Sequence, residues 1–221
     1  MSAQAKRILG IVVCTVVLGV GVGLYIALYL TAVPGSAVAS TSSSGTHLYL
    51  ATVPAAALND PHPTWVSYYA VNAEDRNWRH VTTYFLPAHT LVHVTIYQYD
   101  GASGLRNAFL GQTEGTTGGE ITLNGKPTRA INPNDASHVF AIPAFGVSIP
   151  LDAISATAKN PCGNAPCTLK QAHTTTTFSF RTPGPGMYRW QCFVPCAAGF
   201  IEGFGGPMQT VGYMDGFIRV V

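Results

Sequence analysis

Residues 8–33 carry no charge and are predominantly apolar, a run of about 25 residues that is long enough to span a bilayer with some tilt. Lys6 and Arg7 stand directly before this run, and no basic residue follows until Arg76. That bias predicts a cytoplasmic N-terminus (1–7), a transmembrane anchor (8–33) and an external remainder. Tyr25 and Tyr29 fall toward the outer interface, and Gly19 and Gly23 form a small-xxx-small face for helix packing. Ala37-Val38-Ala39 ahead of Ser40 has the look of a cleavage site, but the apolar run exceeds the roughly 7–15 residues of a signal peptide core, so an uncleaved anchor is expected. Residues 34–46, rich in Ser, Gly and Ala, read as a flexible linker.

Beyond the linker the periodicity changes. Residues 47–79 are mixed: Leu58-Asn59-Asp60-Pro61 and His62-Pro63 read as turns and 65–71 as an apolar, aromatic run with no assignable role. Residues 89–97 alternate, with Thr90, Val92, Val94 and Ile96 on one face, as expected of a half-buried strand. On that strand His89 and His93 lie about 13 Å apart, which favours separate surface or edge histidines over a shared metal. Residues 100–135 are rich in Gly, Thr and Asn and read as an insertion, a long solvent loop or else a lid or docking surface, with Asn124-Gly125 as a hairpin turn. Residues 173–181 resume as a strand with Thr176, Phe178 and Phe180 inward. Many short strands with turn signals predict an all-β sandwich behind one N-terminal helix.

Charged residues make up only 10% of the chain, against about 25% in an average soluble protein, and the net charge is +2. Lys6 and Arg7 account for all of that excess, since removing them leaves ten basic against ten acidic residues. A nearly neutral outer domain excludes the basic face that nucleic-acid binding needs, and it offers no clear acidic patch for a basic partner.

The chemistry concentrates late in the chain. Cys14 sits inside the anchor and is expected to be inert. In Pro161-Cys162-Gly163-Asn164-Ala165-Pro166-Cys167 two cysteines flank a tight turn, which outside the cytoplasm is most simply a disulfide, Cys162 to Cys167. Further on, Pro185-Gly186-Met187-Tyr188-Arg189-Trp190-Gln191-Cys192-Phe193-Val194-Pro195-Cys196 places two thiols four residues apart, with Met214 ahead of a closing apolar strand. Such soft donors suit copper. The run His138-Val139-Phe140-Ala141-Ile142-Pro143-Ala144-Phe145-Gly146 offers an imidazole.

These two stretches together resemble the copper domain of cytochrome c oxidase subunit II, a cupredoxin that carries the binuclear CuA centre. The family pattern is His-x-aromatic-Ala-x-Pro-x-x-Gly, then Pro-Gly-x-Tyr-x-x-x-Cys-x-x-x-Cys, then a His and a Met. The resemblance covers roughly residues 80–221 and is strongest in the last 85 or so. It implies a cupredoxin-like antiparallel sandwich of Greek-key type over residues 47–221, with insertions near 100–135 and 197–213. It also implies a copper ligand set of His138, Cys192, the Val194 carbonyl, Cys196 and Met214. The match departs at the second His, where this chain has Phe200, and no His follows His173. One copper keeps a complete set while the second keeps only the thiolates and the carbonyl, so a degenerate, mononuclear site is expected. Three readings stay open. The first is a subunit II-like component of a haem-copper terminal oxidase, beside a large haem-bearing membrane subunit and an external donor that is a cytochrome, a small copper protein or quinol. The second is a metal-free structural subunit with a Cys192–Cys196 disulfide, as in quinol oxidases. The third is a free-standing anchored cupredoxin that carries electrons or copper. In none of them is the chain an enzyme by itself.

Overall fold

The computed structural model describes residues 2–27, 35–42, 44–57, 64–72, 77–196 and 206–221. The chain divides into two units, Met1–Val33 and Pro34–Val221. In the first, α1 (Ala3–Tyr25) starts five residues ahead of the apolar run, because Ser2 caps it by accepting from the Ala5 N–H and Lys6 and Arg7 are good helix formers. Its 23 residues rise about 35 Å, so the helix is long and apolar enough to cross a membrane. Residues 28–33 of the expected span, Tyr29 among them, lie outside the described residues.

The second unit is a sandwich of two sheets. One has six strands in the order β1 (Ser36–Val38), β6 (Thr83–Leu86), β14 (Asp215–Val220), β13 (Gly186–Gln191), β10 (Ala136–Ile142) and β11 (Val147–Asp152). The other has eight: β5 (Trp78–Arg79), β4 (Trp65–Val71), β3 (Gly45–Ala56), β7 (Leu91–Gln98), β12 (Thr174–Arg181), β8 (Ile121–Leu123) and β9 (Lys126–Thr128), with β2 (Ser40–Ser42) also pairing on β3. The all-β sandwich is as expected, but the sheets are mixed and not purely antiparallel. β1 runs parallel to β6, β6 to β14, and β3 to β7. Each parallel pair joins strands far apart in sequence or linked by a crossover, which the antiparallel hairpin pattern does not anticipate.

The stretch read as a flexible linker is corrected in the same way. Residues 36–38 and 40–42 are strands, Ala37 and Ala39 are buried, and the Ala39 N–H donates to the Phe85 carbonyl at 3.1 Å. Small side chains that look like linker by composition fit here because they edge the core without crowding it.

β7 alternates as predicted, burying Val92, Val94, Ile96 and also Gln98, while Thr90 precedes it. β12 buries Thr176, Phe178 and Phe180. Asn124 (φ 47°) and Gly125 (φ 81°) make the β8–β9 turn with both residues left-handed, the geometry that selects Asn-Gly. Every residue of β4 is buried, which answers the open role of this segment. Val66, Tyr68 and Ala70 face the core between the sheets. Tyr69 and Val71 face a second cluster on the far side, with Tyr99, Cys162 and Cys167. The eight-stranded sheet is therefore covered on both faces.

Candidate metal centre

β10, β13 and β14 are adjacent in the six-stranded sheet, and each carries or leads into one of the segments singled out for copper. β10 is buried along its whole length, and a register irregularity between Ala136 and His138 against β11 re-aims the strand where His138 leaves it. β13 pairs antiparallel with β10 through Ala141 and Gln191, so the next residue, Cys192, arrives beside the middle of β10. Its sulfur accepts from the Val139 N–H at 3.3 Å, and its own N–H donates to the Met214 carbonyl at 2.9 Å.

The ligand atoms of His138, Cys192 and Cys196 all lie within 4.8 Å of one another, and no other group of three His, Cys or acidic donors is so placed among the described residues. The two sulfurs are 3.3 Å apart and both thiols are free. A disulfide would hold them at about 2.05 Å. His138 turns Nδ1 to the Cys196 sulfur at 3.2 Å. The Val194 carbonyl accepts from Cys196 Sγ at 2.9 Å and faces Cys192 Sγ at 3.6 Å. Met214 is fully buried in the same cluster as Cys192 and Val194, anchored by its N–H to the Pro207 carbonyl at 3.0 Å. Residues 197–205, including Phe200 and most of the expected 197–213 insertion, lie outside the described residues.

Sequence reasoning missed Asp100. Its Oδ2 lies 3.2 Å from His138 Nε2, on the ring nitrogen turned away from the sulfurs. Asp100 is itself fixed: its N–H donates to Gln98 Oε1 at 2.8 Å, Gln98 Nε2 donates to its carbonyl at 2.8 Å, and Thr52 Oγ1 donates to Gln98 Oε1 at 2.6 Å. The only signal in the sequence is an Asp-Gly step at a strand end, and nothing ties it to a histidine 38 positions later.

The electrostatics follow from burial against these contacts. Burial alone would push His138 down, but the hydrogen bonds and charges of Asp100 and Cys192 carry it up to about 9. Burial would push Cys192 up, yet hydrogen bonds from Cys196 and His138, the imidazolium charge and the Val139 N–H bring it down to about 5. Cys196 goes the other way, raised by burial and by Cys192 beside it. Asp100 and the sulfurs thus favour the charged form of His138, and His138 and Cys196 favour the thiolate form of Cys192, while Cys196 is held toward its thiol.

The donor set fits a copper ion. Two soft sulfurs and an imidazole nitrogen converge, and the imidazole's remaining nitrogen is held by a carboxylate, the arrangement that orients metal-bound histidines. The other predicted sites lie elsewhere. Cys162 and Cys167 are joined, with Cα atoms 5.7 Å apart, in the second core cluster. His89 is exposed, while His93 bonds Ser179 Oγ at 2.8 Å and stacks on His47. Cys14 is in α1.

No protein-family model matches this chain, and neither does any curated protein. Solved structures similar to it include the following three. Rusticyanin, described as a copper protein, is 15% identical over 90% of this chain and 94% of its own, with a TM-score of 0.35. Auracyanin B is 15% identical over 86% of this chain and 98% of its own, at 0.31. A chain of the mixed-disulfide complex between a thioredoxin-like protein and subunit II of cytochrome c oxidase is 16% identical over 79% of this chain and 81% of that one, at 0.28. At such low identities and scores, the chemistry assigned to the site rests on the side chains of this chain.

Proposed function

We propose that the chain is a membrane-anchored copper protein that passes electrons, and more specifically a subunit II-like component of a haem-copper terminal oxidase with a mononuclear site. The observation that carries the reading is the convergence of His138 Nδ1 with two free, unbonded thiols within 4.8 Å. His138, Cys192 and Cys196 would hold the ion, with the Val194 carbonyl and Met214 as the remaining donors. A bound copper ion supplies reversible one-electron transfer. The chain's own residues keep that exchange cheap in rearrangement. His138 and Cys192 are buried and tied to strands, Asp100 fixes the imidazole ring, and the Val139 N–H fixes one sulfur. Trp190, Phe140 and Val194, all buried, would help to keep water from the site.

α1 would tether the domain to the cell membrane as a single pass, with Lys6 and Arg7 inside and the sandwich outside. The partners on this reading are a large haem-copper subunit in the membrane and an external cytochrome, small copper protein or quinol. Oxygen chemistry would belong to that complex.

The test is copper stoichiometry with EPR on the full chain in detergent, beside His138→Ala and Cys192→Ser. One copper per chain with a thiolate charge-transfer band, lost in both variants, is the expected result. No copper, with Cys192 and Cys196 both unreactive to thiol reagents until reduced, would overturn it and leave a disulfide-braced structural subunit.

A further inference from the structure

The outward face of the six-stranded sheet is open over four of its strands. β10 and β11 are buried almost throughout, whereas β1, β6, β14 and β13 turn every second side chain outward. Register aligns those outward residues in two rows. Val38, Phe85, Arg219 and Met187 stand side by side across the four strands, and Ser36, Thr83, Phe217 and Arg189 form the row beside them.

The exposed apolar surface of the sandwich is concentrated here. Among the described residues outside α1, the exposed large apolar side chains are Val38, Phe109, Met187, Phe193 and Val221. Three of these five belong to this face or its edge: Val38 at 77% exposed, Met187 at 69% and Val221 at 63%. Phe85 and Phe217 lie half-buried among them. Such a concentration marks a contact surface. Its charge is one-sided as well. Asp215 is the one acidic residue on the four strands, and it is buried and held by Arg189. Arg219 is exposed, has no ion pair among the described residues, and lies over the Phe85 ring at 5.3 Å. An unmatched guanidinium therefore sits in the middle of the apolar row.

The chain's own connection indicates what covers this face. β1 is its edge strand and begins at Ser36, directly after the apolar run that ends at Val33. Five residues lead from Val33 to Val38, so at no more than about 3.6 Å per residue Val38 stays within roughly 18 Å of the end of that run, whatever path the chain takes. A tether that short makes docking on a bilayer an intramolecular event, for which a modest patch suffices. Val, Phe and Met around an arginine also suit that surface: the apolar groups enter the headgroup boundary while the guanidinium stays with phosphate.

Resting on the reading of α1 as an anchor, and not on copper, we propose that the outward face of β1, β6, β14 and β13 docks on the bilayer surface. Arg219 takes an anionic phospholipid headgroup there. The domain then holds one sheet face toward the membrane instead of turning freely on its tether.

The test uses the full chain at one copy per lipid nanodisc, with no other protein present. The discs are made of phosphatidylcholine alone or of equal parts phosphatidylcholine and phosphatidylglycerol. Hydroxyl-radical oxidation of Met187, read by mass spectrometry, reports whether the face is covered, and Phe109, exposed but on none of these strands, is the internal reference. In the mixed discs Met187 should be protected several-fold relative to Phe109, and less so in phosphatidylcholine alone. Arg219→Glu exchanges an attraction for a repulsion, shifting the balance of docked to free domain by roughly 30-fold, and should return Met187 to full reactivity in the mixed discs. Equal reactivity of Met187 in all three samples would overturn the proposal. So would protection that ignores both lipid charge and Arg219, because its source would not be anionic headgroups. A second readout does not depend on oxidation. Fluorescence added by Met187→Trp should be quenched by phosphatidylglycerol brominated close to the headgroup, and that added by Phe109→Trp should not; equal quenching at both positions, or none, counts against docking. A chain that fails to enter the discs at all refutes the anchor reading and the docking together, and leaves the copper reading to its own test.

Discussion

Replacing Asp100 by Asn should make the stability of the metal-free, reduced protein less dependent on pH. Asp100 Oδ2 lies 3.2 Å from the Nε2 of an imidazole that is 3% exposed. At an effective dielectric of about 20, Coulomb's law gives about 5 kcal/mol at that separation, a ceiling because the Asp100 side chain is 32% exposed to screening water. The position of His138 gives a second scale. Its net rise from 6.5 to about 9 corresponds to roughly 3.4 kcal/mol, which Asp100 and Cys192 together leave after burial has pushed it down. Asp100 therefore contributes about 1–2 kcal/mol, worth roughly 2–8 °C in melting temperature for a domain of this size. The sign is set by the raised value: this stabilisation is complete below about pH 6.5, where imidazole is protonated folded or unfolded, and is lost as pH rises through about 9. Cys192, lowered to about 5, contributes in the opposite sense, in full above about pH 9 and fading as pH falls toward 5. Because that contribution is common to both proteins, it largely cancels in their difference. Melting followed by near-ultraviolet circular dichroism from pH 5.5 to 9.5 should show wild type and Asp100→Asn furthest apart at the acid end and converging at the alkaline end. NMR titration of the His138 ring should give a lower midpoint in the variant. A gap independent of pH, or one that widens toward pH 9.5, would refute the coupling.

Other perturbations read other parts of the same design. Arg189→Met should cost about 3 kcal/mol, since Asp215 is 1% exposed and its carboxylate is held by Arg189 Nε at 2.9 Å and by Nη2; denaturant melts should show Asp215→Asn recovering part of the loss. Gly216→Ala should lower the melting temperature markedly and reduce copper uptake, because a Cβ there would sit 1.9 Å from the Thr82 carbonyl oxygen, next to Met214. Opening the Cys162–Cys167 bridge by Cys162→Ser/Cys167→Ser should cost about 2 kcal/mol for so short a loop, yet leave the copper absorption band unchanged, because the bridge lies in the second core cluster.

The parts of the site legible in the sequence are those that local spacing encodes. Cys192 and Cys196 are four apart in one loop, and His138 sits in a nine-residue run whose Pro143 and Gly146 shape the turn after β10, with Gly146 at φ 65°. Local alternation likewise revealed β7 and β12, and Asn124-Gly125 its hairpin. Asp100 was hidden because its partner is remote in sequence and on the other sheet. The strands at 36–38 and 40–42 were hidden because their pairing to β6 and β3 is read from partners and not from their own small residues. The apolar run of β4 was visible but uninterpretable until the second core cluster gave its outward face something to cover.

That dependence on remote partners has a mechanical consequence. Three of the five sequence-predicted donors, Cys192, Met214 and His138, hang from neighbouring strands of one sheet, whereas the carboxylate that orients His138 is held from the other, through Gln98 on β7 and Thr52 on β3. Register pairs Thr52 with Gln98 directly, so the parallel β3–β7 ladder fixes where Asp100 begins. Tyr68 reaches across from the same opposite sheet to the residues that flank the donors. The geometry of the site is therefore set by how the two sheets pack as much as by the loop that bears the cysteines. A core so close-packed resists small displacements. Holding imidazole and sulfur in one arrangement, whatever the charge on an ion between them, is what electron transfer with little rearrangement requires of a protein.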